Sequence, residues 1–236
     1  MALPKVASPR YELTLPSEDK VIQYRPFLVK EEKLLLMAME EDKNNGIVKA
    51  VTDICESCTF GNWDVTKAPM FDIEYVFLNI RAKSVGEVQK IKVLCPDDKK
   101  TYADVEVDLS EVNVQVDDSH TNRIIFDESR QLGVVFKYPT IDLMKNDVDT
   151  NNVDSIMKMV IHCVDHIFEG EKIYPAKDAT EKEMLEFFEE LEQTAFAKVQ
   201  AFFTTMPRLR HEVKVKNPKT DVESEVVLQG INDFFA

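Results

Sequence analysis

The sequence predicts an α+β protein in which groups of helices pack on antiparallel β-hairpins. Three observations carry that expectation. Apolar residues recur at helical spacing over residues 28–39, 47–58 and 70–85. From Glu87 the period drops to two: Ile91 and Val93 alternate with Lys90 and Lys92, and Val105 and Val107 with Asp104 and Glu106. Paired apolar runs are separated by turns rich in Pro, Asp and Lys.

In chain order, residues 11–15 and 21–24 read as a hairpin around Pro16-Ser17-Glu18-Asp19. Pro26 ends the extended segment, and an amphipathic helix follows. Its pattern puts Leu28, Leu35, Leu36 and Met39 on the core side and Lys30, Glu31, Lys33 and Glu40 on the solvent side. A second helix after Asn44-Asn45-Gly46 carries Ile47, Val51, Ile54, Cys55 and Cys58 on one face. A third follows Pro69, is apolar on nearly every side, and closes at Lys83-Ser84-Val85-Gly86.

Strands meeting across Pro96-Asp97-Asp98-Lys99-Lys100 come next, then a second strand pair at residues 122–126 and 133–138. A stripe from Val153 to Phe168 predicts one helix with His162 and His166 on its opposite side. Thr180-Glu181-Lys182-Glu183 resembles a capping box opening a helix that runs to Met206, about 39 Å if continuous. The hairpin of residues 212–228 follows it, as residues 88–109 follow the third helix, so a duplicated helix-then-hairpin unit is a further expectation. The polar stretch 145–152 is the expected seam between an N-terminal lobe, 1–147, of a hairpin, three helices and antiparallel strands, and a C-terminal lobe, 148–236, of two helices, a hairpin and a Phe-Phe tail.

Two runs together resemble a known family. The first is Arg25-Pro26-Phe27 followed by Lys30-Glu31-Glu32-Lys33, Leu35-Leu36 and Ala38. The second is Asp72, Glu74-Tyr75, Phe77-Leu78 and Arg81-Ala82-Lys83-Ser84-Val85-Gly86-Glu87. They are similar to segments of the baseplate hub proteins of T-even-type contractile-tailed phages. The resemblance covers roughly the first hundred residues well and is looser beyond them. It implies a hub subunit or hub assembly factor whose partners are other baseplate hub or tape-measure proteins. It also implies a place in the infected host cytoplasm during assembly, or in the tail baseplate of the virion.

Composition and motifs bear on chemistry. The chain has 43 acidic and 29 basic residues, a net charge of −14, which argues against binding nucleic acid phosphates. No apolar run is long enough for a membrane span, and the residues after Met1 lack a secretory core, so the chain is expected to stay in the cytosol. Four cysteines fit reduced thiols. Cys55 and Cys58 have zinc-knuckle spacing but lie on an apolar helical stripe, and Cys95 has only Asp97 and Asp98 nearby, so core cysteines are the expectation and a zinc-binding interaction module the alternative. His162 and His166 lack the adjacent Glu of a metalloprotease pair. With six glycines there is little material for a phosphate loop, and GxSxG does not occur. No enzymatic activity, cofactor or metal is therefore expected.

What remains is surface for other proteins. The aromatic residues Phe187, Phe196 and Phe203 of the long helix, with Phe234 and Phe235 near the C-terminus, are the candidate partner-binding residues. The expected action is scaffolding, either as a structural subunit or as a chaperone that leaves before the particle matures. The sequence does not fix the oligomeric state.

Overall fold

A computed structural model describes residues 7–40, 44–144 and 153–234. Elements follow in the order β1 (Tyr11–Thr14), β2 (Val21–Tyr24), α1 (Val29–Glu40), α2 (Asn44–Cys58), α3 (Met70–Val85), β3 (Val88–Leu94), β4 (Tyr102–Asp108) and β5 (Asn113–Gln115). Next come β6 (Arg123–Asp127), β7 (Leu132–Phe136), α4 (Ile141–Met144), α5 (Val153–His162), β8 (Val164–Glu169), β9 (Lys172–Pro175), α6 (Glu181–Glu189) and α7 (Gln193–Thr205). The chain ends with β10 (Arg208–Lys216), β11 (Glu223–Gln229) and α8 (Gly230–Asp233). The α+β class holds: the strands pair antiparallel in small sheets, and helices supply the rest of the core.

Two compact units form, Met1–Gln115 with Arg208–Ala236, and Val116–Pro207. The expected cut near residue 148 is replaced by two others, and the stretch 145–152 itself lies outside the described residues. Strand pairing explains the division: β10 lies between β11 and β5, with Leu209 opposite Val114, so the chain leaves the first unit at β5 and re-enters beside it at β10. The last hairpin is therefore an N-terminal-unit element, and the helix before it belongs to the other unit. That removes the duplicated helix-then-hairpin unit.

What does repeat is the turn. Leu15-Pro16, Cys95-Pro96 and Asn217-Pro218 each open a loop whose fifth residue has positive φ: Asp19 at 51°, Lys99 at 53° and Asp221 at 63°. In all three that residue donates its N–H to the carbonyl before the proline, at 3.1, 3.0 and 2.9 Å. Proline presets the first turn position, and the left-handed residue closes the loop. Two of these turns interlock, because the buried Asn217 donates from Nδ2 to both oxygens of Asp97, at 2.9 and 3.0 Å.

The core of the first unit is built on α3. Phe71, Ile73, Val76, Phe77, Leu78 and Ile80 are buried, as the apolar periodicity predicts. The inward residues of β3 and β4, Ile91, Val93, Ala103 and Val107, join Leu209, Val213, Val215 and Leu228 of the last hairpin in one cluster. Outward positions pair by charge across the strands, Lys90 with Glu106 and Lys92 with Asp104.

In the second unit a four-stranded antiparallel sheet, β6-β7-β8-β9, packs against helices. The stripe from Val153 to Phe168 divides: Cys163 ends α5, donating to the Met159 and Val160 carbonyls, and β8 begins at Val164. Val164 and Phe168 sit inward at both helical and strand spacing, so periodicity alone could not separate the two. The expected long helix is also divided. Glu192 takes an extended conformation (φ −62°, ψ 151°) between α6 and α7, and Leu191 packs partly into the core. The capping box at the start of α6 forms as expected, with the Thr180 hydroxyl and the Glu183 carboxylate each accepting from the other's backbone N–H.

Candidate protein-binding surfaces

The aromatic residues singled out in the sequence are packed rather than presented. Phe187, Phe196 and Phe203 are half-buried against the second unit's core. Phe187 lies 6.2 Å from Phe126 and 5.5 Å from Phe188, ring centre to ring centre. Phe203 lies 5.7 Å from Phe136 and 5.0 Å from Phe202, both edge-on. Phe234 is fully buried in the first unit's core, and its carbonyl accepts from Arg81 Nη1 at 2.7 Å. Phe235 lies outside the described residues.

The apolar surface lies instead on α1. Only Glu31, Leu35 and Ala38 of this helix are buried, while Val29, Leu34, Leu36, Met37 and Met39 are exposed, Val29 at 80 % and Leu36 at 55 %. Leu35 lies inward as the helical pattern predicts, whereas Leu28, Leu36 and Met39 face solvent and Glu31 the core, the reverse of that pattern. Six residues earlier Arg25 decides the matter. Its Nη2 lies 2.9 Å from Glu31 Oε1, and it also donates to Ser57 Oγ at the end of α2, at 3.0 Å. Ser57 Oγ donates to Glu31 Oε1 at 3.0 Å, and the Leu28 N–H to Glu31 Oε2 at 2.8 Å. Burial pushes the Glu31 carboxyl up, but the hydrogen bonds from Arg25, the Leu28 N–H, Ser57 and Lys30 outweigh it and hold its pKa down at about 2. A carboxylate so placed turns that side of the helix inward. The leucines and methionines around the rest of α1 then face solvent.

Two polar residues of the second motif make structural ties. Asp72, buried at the start of α3, accepts from the Ser17 N–H at 3.1 Å and from the Ser17 hydroxyl, tying the first turn to the helix. Ser84 Oγ accepts from the Phe27 N–H at 2.9 Å, which fixes the segment leading into α1.

In the second unit an open hollow of about 390 Å³ is lined by Arg123, Ile124, Lys198, Phe202, Thr205 and neighbouring residues. Its cations are engaged: Arg123 stacks over the Phe168 ring at 3.9 Å, and Lys198 Nζ donates to the Ile125 carbonyl at 2.8 Å. Beside it His120 bonds Thr205 Oγ1 at 3.0 Å and Tyr138 Oη at 3.1 Å, its pKa lowered by burial. No sequence motif surrounds His120, so nothing in the chain's pattern marks it.

All four cysteines are free and buried. Burial raises the Cys55 thiol well above its usual value, Cys58 to about 11 and Cys163 to about 12. Among the described residues no group of three His, Cys, Asp or Glu side chains could hold a metal ion. His162 sits at the end of α5 and His166 in β8, bonded to the Lys158 carbonyl and to Asp165, so they do not form a helical pair. No helix among the described residues is long and apolar enough to cross a membrane.

No curated protein and no solved structure is significantly similar to the chain. The family described as T4 bacteriophage base plate protein matches residues 8–236, nearly the whole sequence. Both motif segments lie inside that match, and the chain belongs to the T4 bacteriophage base plate protein family.

Proposed function

We propose that this base plate protein is a hub component, which builds the central part of a contractile tail by holding neighbouring hub or tape-measure proteins. It works by binding alone, without a covalent step. The observation that carries this reading is α1: a helix anchored inward by a buried ion pair turns its large aliphatic side chains to solvent. Monomeric proteins rarely leave such side chains clustered on one element unless something binds them. The acidic remainder of the surface limits nonspecific association.

The test is co-expression with the other hub and tape-measure proteins, followed by pull-down. Capture is expected with the native chain and lost with Leu36→Asp, a change at an exposed site that leaves the fold intact. Retained capture by that variant would remove α1 from the reading. Mass spectrometry of purified virions then separates roles: abundant peptides of this chain mark a structural subunit, and their absence from mature particles marks an assembly chaperone.

A further inference from the structure

The outward side of α1 is charge-balanced, although the chain as a whole carries −14. Its exposed ions are Lys30, Glu32, Lys33 and Glu40, two of each sign, set among Val29, Leu36 and Met37. The repulsion that opposes self-association of an acidic protein therefore arises elsewhere on the molecule. Lys33 and Glu40 are two helical turns apart, about 10.5 Å, and so project along nearly the same line of the helix.

We propose that this face binds the same face of a second copy, α1 against α1, antiparallel about a two-fold axis passing between Leu36 and Met37. That operation sets Lys33 of each copy opposite Glu40 of the other, and Leu36 of each opposite Met37 of the other. A parallel arrangement would instead face Lys33 with Lys33 and Glu40 with Glu40. The charge pattern thus selects the antiparallel, isologous pairing, in which each favourable contact occurs twice. Heterologous partners of a purely basic character would match the rest of the acidic surface but not this balanced strip. The inference rests on the reading of α1 as a protein-binding face and adds the identity of one occupant.

Analytical ultracentrifugation of the purified full-length chain, from low to high micromolar concentration, tests it. A reversible monomer–dimer equilibrium is expected, with Leu36→Asp monomeric throughout and circular dichroism unchanged. Lys33→Glu alone and Glu40→Lys alone should each weaken dimerisation by about tenfold, since each makes two like-charge contacts in the symmetric dimer. The combined Lys33→Glu/Glu40→Lys chain should return to within about threefold of the original affinity, because both pairs are re-formed with signs exchanged. A native chain that stays monomeric, a dimer indifferent to Leu36→Asp, or a double variant no better than the singles would each overturn the proposal. If the chain is monomeric while Leu36→Asp still abolishes capture of hub proteins, the self-pairing fails and the hub reading survives. If neither property responds to Leu36→Asp, both fall.

Discussion

Arg25 and Glu31 form a buried ion pair, 2.9 Å apart, that links the end of β2, the start of α1 and the end of α2. Both carboxylate oxygens of Glu31 are satisfied, Oε1 by Arg25 and Ser57, and Oε2 by the Leu28 N–H. Arg25 also ties to α2 through its own N–H, which donates to the Cys58 carbonyl at 3.0 Å. The arrangement fixes which side of α1 is inside.

Removing one partner leaves the other charged and buried. Glu31→Ala should cost about 3 kcal/mol in denaturant unfolding, the scale of a broken buried pair. The pH dependence has a definite sign. The folded-state pKa of Glu31, about 2, lies below the usual 4.5, so its contribution is complete above about pH 4.5 and is lost as pH falls toward 2. Acid titration of stability should be shallower over that window in Glu31→Gln than in the native chain. Identical slopes would show that Glu31 is not held ionised by its neighbours.

Gly133 is the one residue its place in β7 tolerates. A Cβ there would lie 2.2 Å from the Ile124 carbonyl oxygen and 2.5 Å from the Phe168 ring. The first is backbone of the paired strand and cannot step aside. Gly133→Ala should therefore destabilise the second unit by about 3 kcal/mol, against a small effect for Gly46→Ala, whose nearest neighbour would be 3.8 Å away. Thermal unfolding of the two variants measures the contrast.

Burial makes the thiols inert. All four cysteines are buried, and the thiol pKa values of Cys55, Cys58 and Cys163 are raised by desolvation, so Ellman's reagent at pH 8 should titrate almost none of them in the folded chain. In denaturant it should titrate all four. Rapid reaction of Cys55 and Cys58 in the native protein would instead revive a redox or metal role for that pair.

Much of this fold was legible in the sequence because local signals agreed with the tertiary structure. The proline turns, the alternation in β3 and β4 and the all-round apolar α3 each have one reading. Legibility failed where one pattern served two structures. Val164 and Phe168 suit a strand as well as a helix, and nothing but Gly170, at φ 58°, announced the turn between β8 and β9. Residues 190–192 contain neither Gly nor Pro, so the break between α6 and α7 had no local mark. Pairing of β5 with β10, across 92 intervening residues, left no trace in periodicity, and with it the division of the chain was misplaced. On α1 the charge of Glu31 predicts a solvent position. Only its ion pair with Arg25, invisible to a helical projection, puts it inside.

That reversal changes what Phe203 should do. As a surface anchor, it would tolerate a charge without loss of fold. Its ring, however, sits edge-on to both Phe136 and Phe202, each 2 % exposed, in a cluster that closes the second unit. A carboxylate placed there would lie against aromatic rings, with its ionised form poorly solvated. Phe203→Asp should therefore lower the stability of the second unit by about 2–3 kcal/mol and reduce soluble yield, as Phe77→Asp should do more severely in the core of the first. Leu36→Asp, by contrast, should unfold neither unit. Should Phe203→Asp fold normally and lose only partner capture, the binding surface would belong on α7 after all, and α1 would need another account of its exposed side chains.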